Sequence, residues 1–225
     1  MKTIGIIGAM PSELKDIQSV QENATVKEIA GYSFHESMHG ANKIVTACCG
    51  IGKVNAAICT QVMIDRFGVD CIINTGIAGG MKQGIKVLEV VISNSVLPHD
   101  LDAHFLKDYP PYCAEFNADE NLQTLAKTVC DEMGIVTHSG RIISGDAFIT
   151  DSTVKANLIQ AHDPYAVDME TAAVGQCAWR NKIPFVSIRC ISDLADDDGA
   201  MSFDEFEVLA AKRVAEIVLT MCERE

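Results

Sequence analysis

Basic residues are scarce in this chain. Lysine and arginine total 18 against 31 aspartates and glutamates, a formal net charge of −13 over 225 residues. Nucleic acid and anionic bilayers both select cationic surfaces, so this balance argues against either as a partner. Small uncharged or cationic ligands stay open. Long apolar runs are missing too. No segment reaches the ~18 apolar residues of a membrane span, and the apolar stretch in MKTIGIIGAM is too short for a secretory signal. A cytoplasmic protein is expected. The 9 cysteines contain no Cys-x-x-Cys pair, their number is odd, and most lie inside apolar runs. That pattern fits reduced core thiols better than disulfides or a metal. Repeats, linkers and low-complexity runs are absent as well, so residues 1–225 are expected to form one domain.

What is present is an alternation of short apolar runs with helix-patterned segments. TIGIIGA (3–9) reads as a buried strand and PSELKDIQSV (11–20) as a helix with proline in its tolerant first turn. YSFHESMHG and NKIVTACCG read as two strands about a Gly-Ala-Asn turn. KVNAAICTQVMIDRF (53–67) has helical spacing, DCIINTG (70–76) and LEVVISNSVL are strands, and ENLQTLAKTVCDEMG (120–134) is an amphipathic helix closed by Gly134. HSGRIISG is a further strand, and Asp151 or Ser152 caps a helix reaching about residue 161. PYAV is a short strand leading into a helix from Asp168, and PFVSIRCIS (184–192) is a strand. SFDEF (202–206) reads as a capping box, Ser202 with Glu205, that opens the last helix. Apolar strands interleaved with helices predict an α/β, three-layer αβα fold with a mixed, mostly parallel central sheet flanked by helices.

Three junctions concentrate glycine and polar residues. In GIIGAMPSEL the third glycine of a dinucleotide fingerprint is missing, and GIGKVN (50–55) fails the same way at Asn55, so no such cofactor is expected. Glu13 lies in the first helical turn, where an acid complements the helix dipole without further purpose. NTGIAGGMKQG (74–84) is either a tight turn or a place where backbone amides approach a ligand. In RCISDLADDDG (189–199), Asp193 fits a simple helix cap, but Arg189 inside the apolar strand demands a buried partner. A fourth stretch, AVDMETAAVGQCA, sets Asp168, Met169 and Glu170 where a strand turns into a helix. Acids there serve either the dipole or a ligand at the carboxyl end of the strand.

No metal is expected. LADDDGAMSFDE imitates a calcium loop through Asp196, Asp198, Gly199 and Glu205, but Leu194 occupies the first ligand position. HDLDAH (99–104) lacks zinc spacing and reads as a polar loop or subunit contact. No serine nucleophile elbow occurs, and no cysteine has a convincing histidine partner.

In combination these junctions resemble the 5′-methylthioadenosine/S-adenosylhomocysteine nucleosidases of the purine nucleoside phosphorylase superfamily. The matching pieces are IGIIGAMPSEL, GIGKVNAA, NTGIAGG, SGDAFI, VDMETAAV, RCISDLAD and SFDEF, in the family's order and over nearly the whole chain. The resemblance implies irreversible hydrolysis of an N-glycosidic bond, releasing adenine, with no cofactor. It implies Asp193 as the general acid at purine N7 and Glu13 as the group that activates water. Glu170 would hold the ribose hydroxyls, with Met169 beneath the sugar and Arg189 near Glu170 and the water. Phe148 would stack on adenine and the backbone of Ile149 would read its edge. Met10, Ile51, Ile77 and Ser192 would complete the walls. A homodimer is implied, in which Phe105, Leu106 and Tyr109 of a neighbouring copy close the 5′ pocket.

Two departures stand out. The resembling family commonly carries Glu at the position of Asp168, and Ser where this chain has Ile77. A phosphorylase of the same superfamily would need cations around its phosphate, and the strand IINTG supplies no arginine. A non-catalytic nucleoside sensor would need no water-activating acid.

Overall fold

The computed structural model describes residues 1–197 and 199–225. Its first half comprises β1 (Thr3–Gly8), α1 (Pro11–Ser19), β2 (Thr25–Ile29), β3 (Tyr32–His39), β4 (Asn42–Cys48), α2 (Lys53–Phe67), β5 (Cys71–Gly80) and β6 (Val90–Pro98). There follow α3 (Ala103–Asp108), β7 (Phe116–Asn117), α4 (Glu120–Glu132), β8 (Thr137–Ser144), α5 (Ser152–His162) and β9 (Ala166–Asp168). The chain ends with α6 (Thr171–Asn181), β10 (Phe185–Asp193) and α7 (Gly199–Arg224).

Apolar, fully buried strands stand at the centre. β1 lies between β4 and β5, parallel to both. β5 also pairs parallel with β10 and antiparallel with β9. Because β10 pairs with β6, β6 with β8 and β8 with β9, the sheet closes on itself at this end. At the other edge β3 turns back on β4 and β2 adds outside it, both antiparallel. Ile4, Ile6 and Ile7 of β1 and Val186, Ile188 and Ile191 of β10 are buried, as are Val214, Ile217, Val218 and Met221 of α7. That continuous apolar filling is the main drive for the fold. All 9 cysteines are free thiols. Among the described residues no helix is long and apolar enough to cross a membrane.

Most elements follow the sequence reading, and the exceptions are instructive. NTGIAGG is strand, not turn: β5 runs through Gly80, paired with β10 as far as Gly79 opposite Asp193. Its glycines answer to neighbours rather than to a bend. A Cβ on Gly76 would lie 2.1 Å from Arg189 Nη1 and 2.2 Å from Glu13 Oε1, so only glycine lets those two side chains pass over the strand. The last helix begins at Gly199, three residues before the expected capping box, so Ser202 and Glu205 lie inside it. The turn that starts it is closed by Gly199 N–H donating to the Asp196 carbonyl at 2.8 Å, and a Cβ on Gly199 would come within 3.4 Å of Asp193 Oδ1. The polar loop HDLDAHFLKDYPPY contains the short helix α3, capped by Asp102, which accepts from the His104 N–H.

Candidate active site

The ends of β1, β5, β9 and β10 meet at one cavity of about 230 Å³, mostly apolar and lined by Met10, Glu13, Ile77, Met169, Glu170 and Asp193 among others. These are carboxyl ends of strands, where α/β sheets open a crevice for ligands. Ile51 reaches the cavity from the β4–α2 loop, Phe148 from the segment after β8, and Ser192 from β10.

Glu13 is the third residue of α1 and turns back toward its start. Its Oε2 accepts from the N–H groups of Ala9 (2.6 Å) and Met10 (3.0 Å), and its Oε1 from the Ile77 N–H (2.9 Å). Arg189 Nη1 stands 3.9 Å from Oε1. Burial pushes the Glu13 carboxyl above the ordinary glutamate range, while Arg189 and the three amides pull against it. Asp193, also buried, accepts from Ala195 N–H at Oδ1 and from Ser192 Oγ at Oδ2, both at 2.8 Å. Burial raises its carboxyl too, against those two hydrogen bonds.

Asp168 and Glu170 divide the work of the strand-to-helix junction. Asp168 points into the protein: Oδ1 accepts from Ser144 Oγ (2.5 Å) and the N–H groups of Glu170 and Thr171 (3.2 Å each), while Oδ2 accepts from Arg189 Nε (2.8 Å). It is both helix cap and partner of the buried arginine. Glu170 lines the cavity and accepts from Gly52 N–H at 2.8 Å. Burial, then the negative charge of Asp168, pushes its carboxyl up to about 7, against Arg189 and the Gly52 N–H.

This shift has a consequence for stability. The native chain keeps a proton on Glu170 between pH 4.5 and about 7, where an unfolded chain has released it. The native state binds more protons there, so stability falls as pH rises through the window. The loss is on the order of 3 kcal/mol at full ionisation. Melting of the ligand-free protein from pH 5 to 8 should show the decline, and Glu170→Gln should flatten it. Parallel curves for the two proteins would refute the assignment.

Arg189, expected near Glu170 and the water, acts on the Glu170 carboxyl but is not among the residues that line the cavity. It has no exposed surface and donates to Asp168, Thr171, Asn74 and the Thr75 carbonyl. Ile149 is buried with Met81, Ile143, Val167 and Ala195, its side chain outside the cavity lining. The half-exposed Phe148 ring meets Phe203 edge-on, centroids 5.6 Å apart. Phe203, which also lines the cavity, was missed; its only sequence signal is its place inside SFDEF. Phe105 and Tyr109 on and just after α3 are exposed, whereas Leu106 is buried in its own chain, and none of the three lines this cavity. Of the calcium-like stretch, Asp198 lies outside the described residues. Among those described, no group of three or more His, Cys, Asp or Glu is arranged to hold a metal.

Residues 3–223 match the model of the phosphorylase superfamily. A 5′-methylthioadenosine/S-adenosylhomocysteine nucleosidase of an Exiguobacterium species is 40% identical to the chain, over 98% of it and 97% of the relative. The chain belongs to this nucleosidase family. Solved structures agree in fold over the full length. The Neisseria meningitidis nucleosidase, in complex with methylthio-immucillin-A, superposes with a TM-score of 0.95 at 35% identity, covering 100% of both chains. A futalosine hydrolase mutant of Helicobacter pylori reaches 0.94 at 30% identity, again over 100% of both chains.

Proposed function

We propose that the chain hydrolyses the N-glycosidic bond of 5′-methylthioadenosine and S-adenosylhomocysteine, releasing adenine with 5-methylthioribose or S-ribosylhomocysteine. One observation carries the reading: two buried carboxyl groups with raised proton affinity, Glu13 and Asp193, open on the same apolar cavity from separate strand ends. Adenine leaves as a neutral base only if it gains a proton, and Asp193 supplies it at N7 as the bond from C1′ breaks. The sugar takes on oxocarbenium character, which the nearby carboxylates stabilise. Water adds to C1′ and its proton passes to Glu13. Both acids return to their starting states by exchange with solvent.

Glu170 holds the ribose hydroxyls, and Met10, Ile51, Ile77 and Met169 give the thioether an apolar bed. Phe148 covers the adenine, the Ile149 backbone reads its edge, and Ser192 orients Asp193. In the homodimer, the exposed rings of Phe105 and Tyr109 from a second copy, steadied by Leu106, close the 5′ end. A phosphorylase reading is disfavoured because no lysine or arginine lines the cavity among the described residues, and Glu13 would repel phosphate.

The test is adenine release from methylthioadenosine by purified protein in phosphate-free buffer. Release is expected without phosphate; activity only after phosphate is added would make the enzyme a phosphorylase. Tight binding with no release in either buffer would make it a nucleoside sensor. Running S-adenosylhomocysteine, 5′-deoxyadenosine and aminodeoxyfutalosine beside it ranks the 5′ substituents.

A further inference from the structure

We infer that Thr171 is a positioning residue for this reaction: its hydroxyl braces the Arg189 guanidinium so that Nη1 stays directed at Glu13. The inference rests on the reading of Glu13 as the water-activating base. Its ground is a count of hydrogen bonds. A guanidinium has five N–H groups and no acceptor. Arg189 Nε faces Asp168 Oδ2 at 2.8 Å and Thr171 Oγ1 at 3.1 Å. Nη2 donates to Asn74 Oδ1 and to Thr171 Oγ1, each at 2.8 Å. Nη1 donates once, to the Thr75 carbonyl at 2.9 Å. One N–H remains, on the nitrogen that stands 3.9 Å from Glu13 Oε1, across the gap kept open by Gly76.

Among the described residues Thr171 alone accepts from both Nε and Nη2, and so it joins Asp168, Asn74 and Thr75 in holding the guanidinium plane. The Thr171 hydroxyl proton has Asp168 Oδ2 as its nearest acceptor. Asn74 is itself anchored, its Nδ2 donating to the Ile7 carbonyl at 2.9 Å, and Ser187 Oγ lies 3.1 Å from Thr171 Oγ1. Thr171 is fully buried and absent from the cavity lining, so it touches neither substrate nor bulk water. It acts through Arg189.

Removing this hydroxyl leaves one buried Nη2 N–H short of an acceptor, Nε keeping Asp168 Oδ2, and the guanidinium turns to recover it. Glu13 then loses the one cation that faces it among the described residues. The other ionisable groups that act on it are Glu170 at the β9–α6 junction and the thiols of Cys48 and Cys49 at the end of β4. None of these can replace a positive charge. Glu13 would hold its proton to higher pH, and fewer enzyme molecules would be poised to activate water.

The test compares kcat, KM and the pH–rate profile of folded wild type, Thr171→Val and Thr171→Ser. The isosteric Val variant is expected to lose about 10- to 100-fold in kcat, the scale of a misaligned catalytic group, with KM nearly unchanged. Its acid limb should move about one pH unit higher, as when an opposite charge is withdrawn. Ser, which keeps the hydroxyl, should restore both. A Val variant with the wild-type acid limb, or a Ser variant that fails to restore it, overturns the role. If Val does not fold, Thr171→Ala gives the same comparison. Glu13→Gln separates the two failures: activity retained there overturns the base reading, whereas an inactive Glu13→Gln beside an unshifted Thr171→Val overturns the positioning role alone.

Discussion

Asp193→Asn is expected to lower methylthioadenosine turnover by about 10²- to 10⁴-fold, the range set by losing a general acid, with nucleoside binding and melting temperature close to wild type. The contacts explain why the damage stays chemical. Asparagine has the same shape, and its amide oxygen can take over the hydrogen bond from Ala195 N–H that Oδ1 now accepts at 2.8 Å. Its amino group would face Ser192 Oγ, which now donates to Oδ2 at 2.8 Å. A hydroxyl can reverse its role from donor to acceptor, so that contact survives. The second amide hydrogen still points toward a purine nitrogen, and binding is kept. What the amide cannot do is release a proton to the leaving base. Single-turnover adenine release, beside a direct binding measurement, checks both halves; a loss of less than about tenfold would remove Asp193 from the general-acid role.

The second large effect belongs to Glu13→Gln, and its structural cost differs. Three backbone N–H groups converge on the Glu13 carboxyl, from Ala9 and Met10 on one oxygen and Ile77 on the other. Glutamine offers one acceptor oxygen, so either the Ala9–Met10 side or the Ile77 side meets an amino group instead. An unsatisfied buried donor costs about 1–3 kcal/mol, and a measurable fall in melting temperature is expected. Turnover should fall by about 10²- to 10⁴-fold as the base is lost. Below the transition temperature, nucleoside binding should persist. Normal turnover in a folded Glu13→Gln protein would mean that another group activates the water.

The sequence made the order of elements legible because local signals set them. Helix α2 runs over the expected 53–67 and is closed by Gly68 in the left-handed region, φ 59°. The capping aspartates 119 and 151 hold helix starts through their own local amides. The site was legible in a different sense: the motifs named its residues, but not the partner each carboxyl takes. Asp168 and Glu170 are two positions apart and look alike in sequence. Their separate duties are decided by Arg189 and Gly52, far along the chain. The same distance hid the strand character of NTGIAGG, whose glycines answer to side chains from α1 and β10. Thr171, Asn74 and Ser187 looked like ordinary polar residues, because contacts about 100 residues apart leave no local trace in a sequence.

The nine free thiols give the chain a built-in set of reporters. Cys71 and Cys190 sit in β5 and β10, Cys130 in α4 and Cys177 in α6, all buried. Burial pushes Cys71 and Cys190 up to about 12, and Cys130 and Cys177 up to about 11. Thiolate is the reactive form, so a thiol-labelling reagent meets almost none of it in the closed protein. Cys48 and Cys113 are partly exposed, and burial still pushes the Cys48 thiol up. Labelling followed at Cys71, Cys190, Cys130 and Cys177 therefore reads the opening of two strands and two helices separately, without a substitution in the chain.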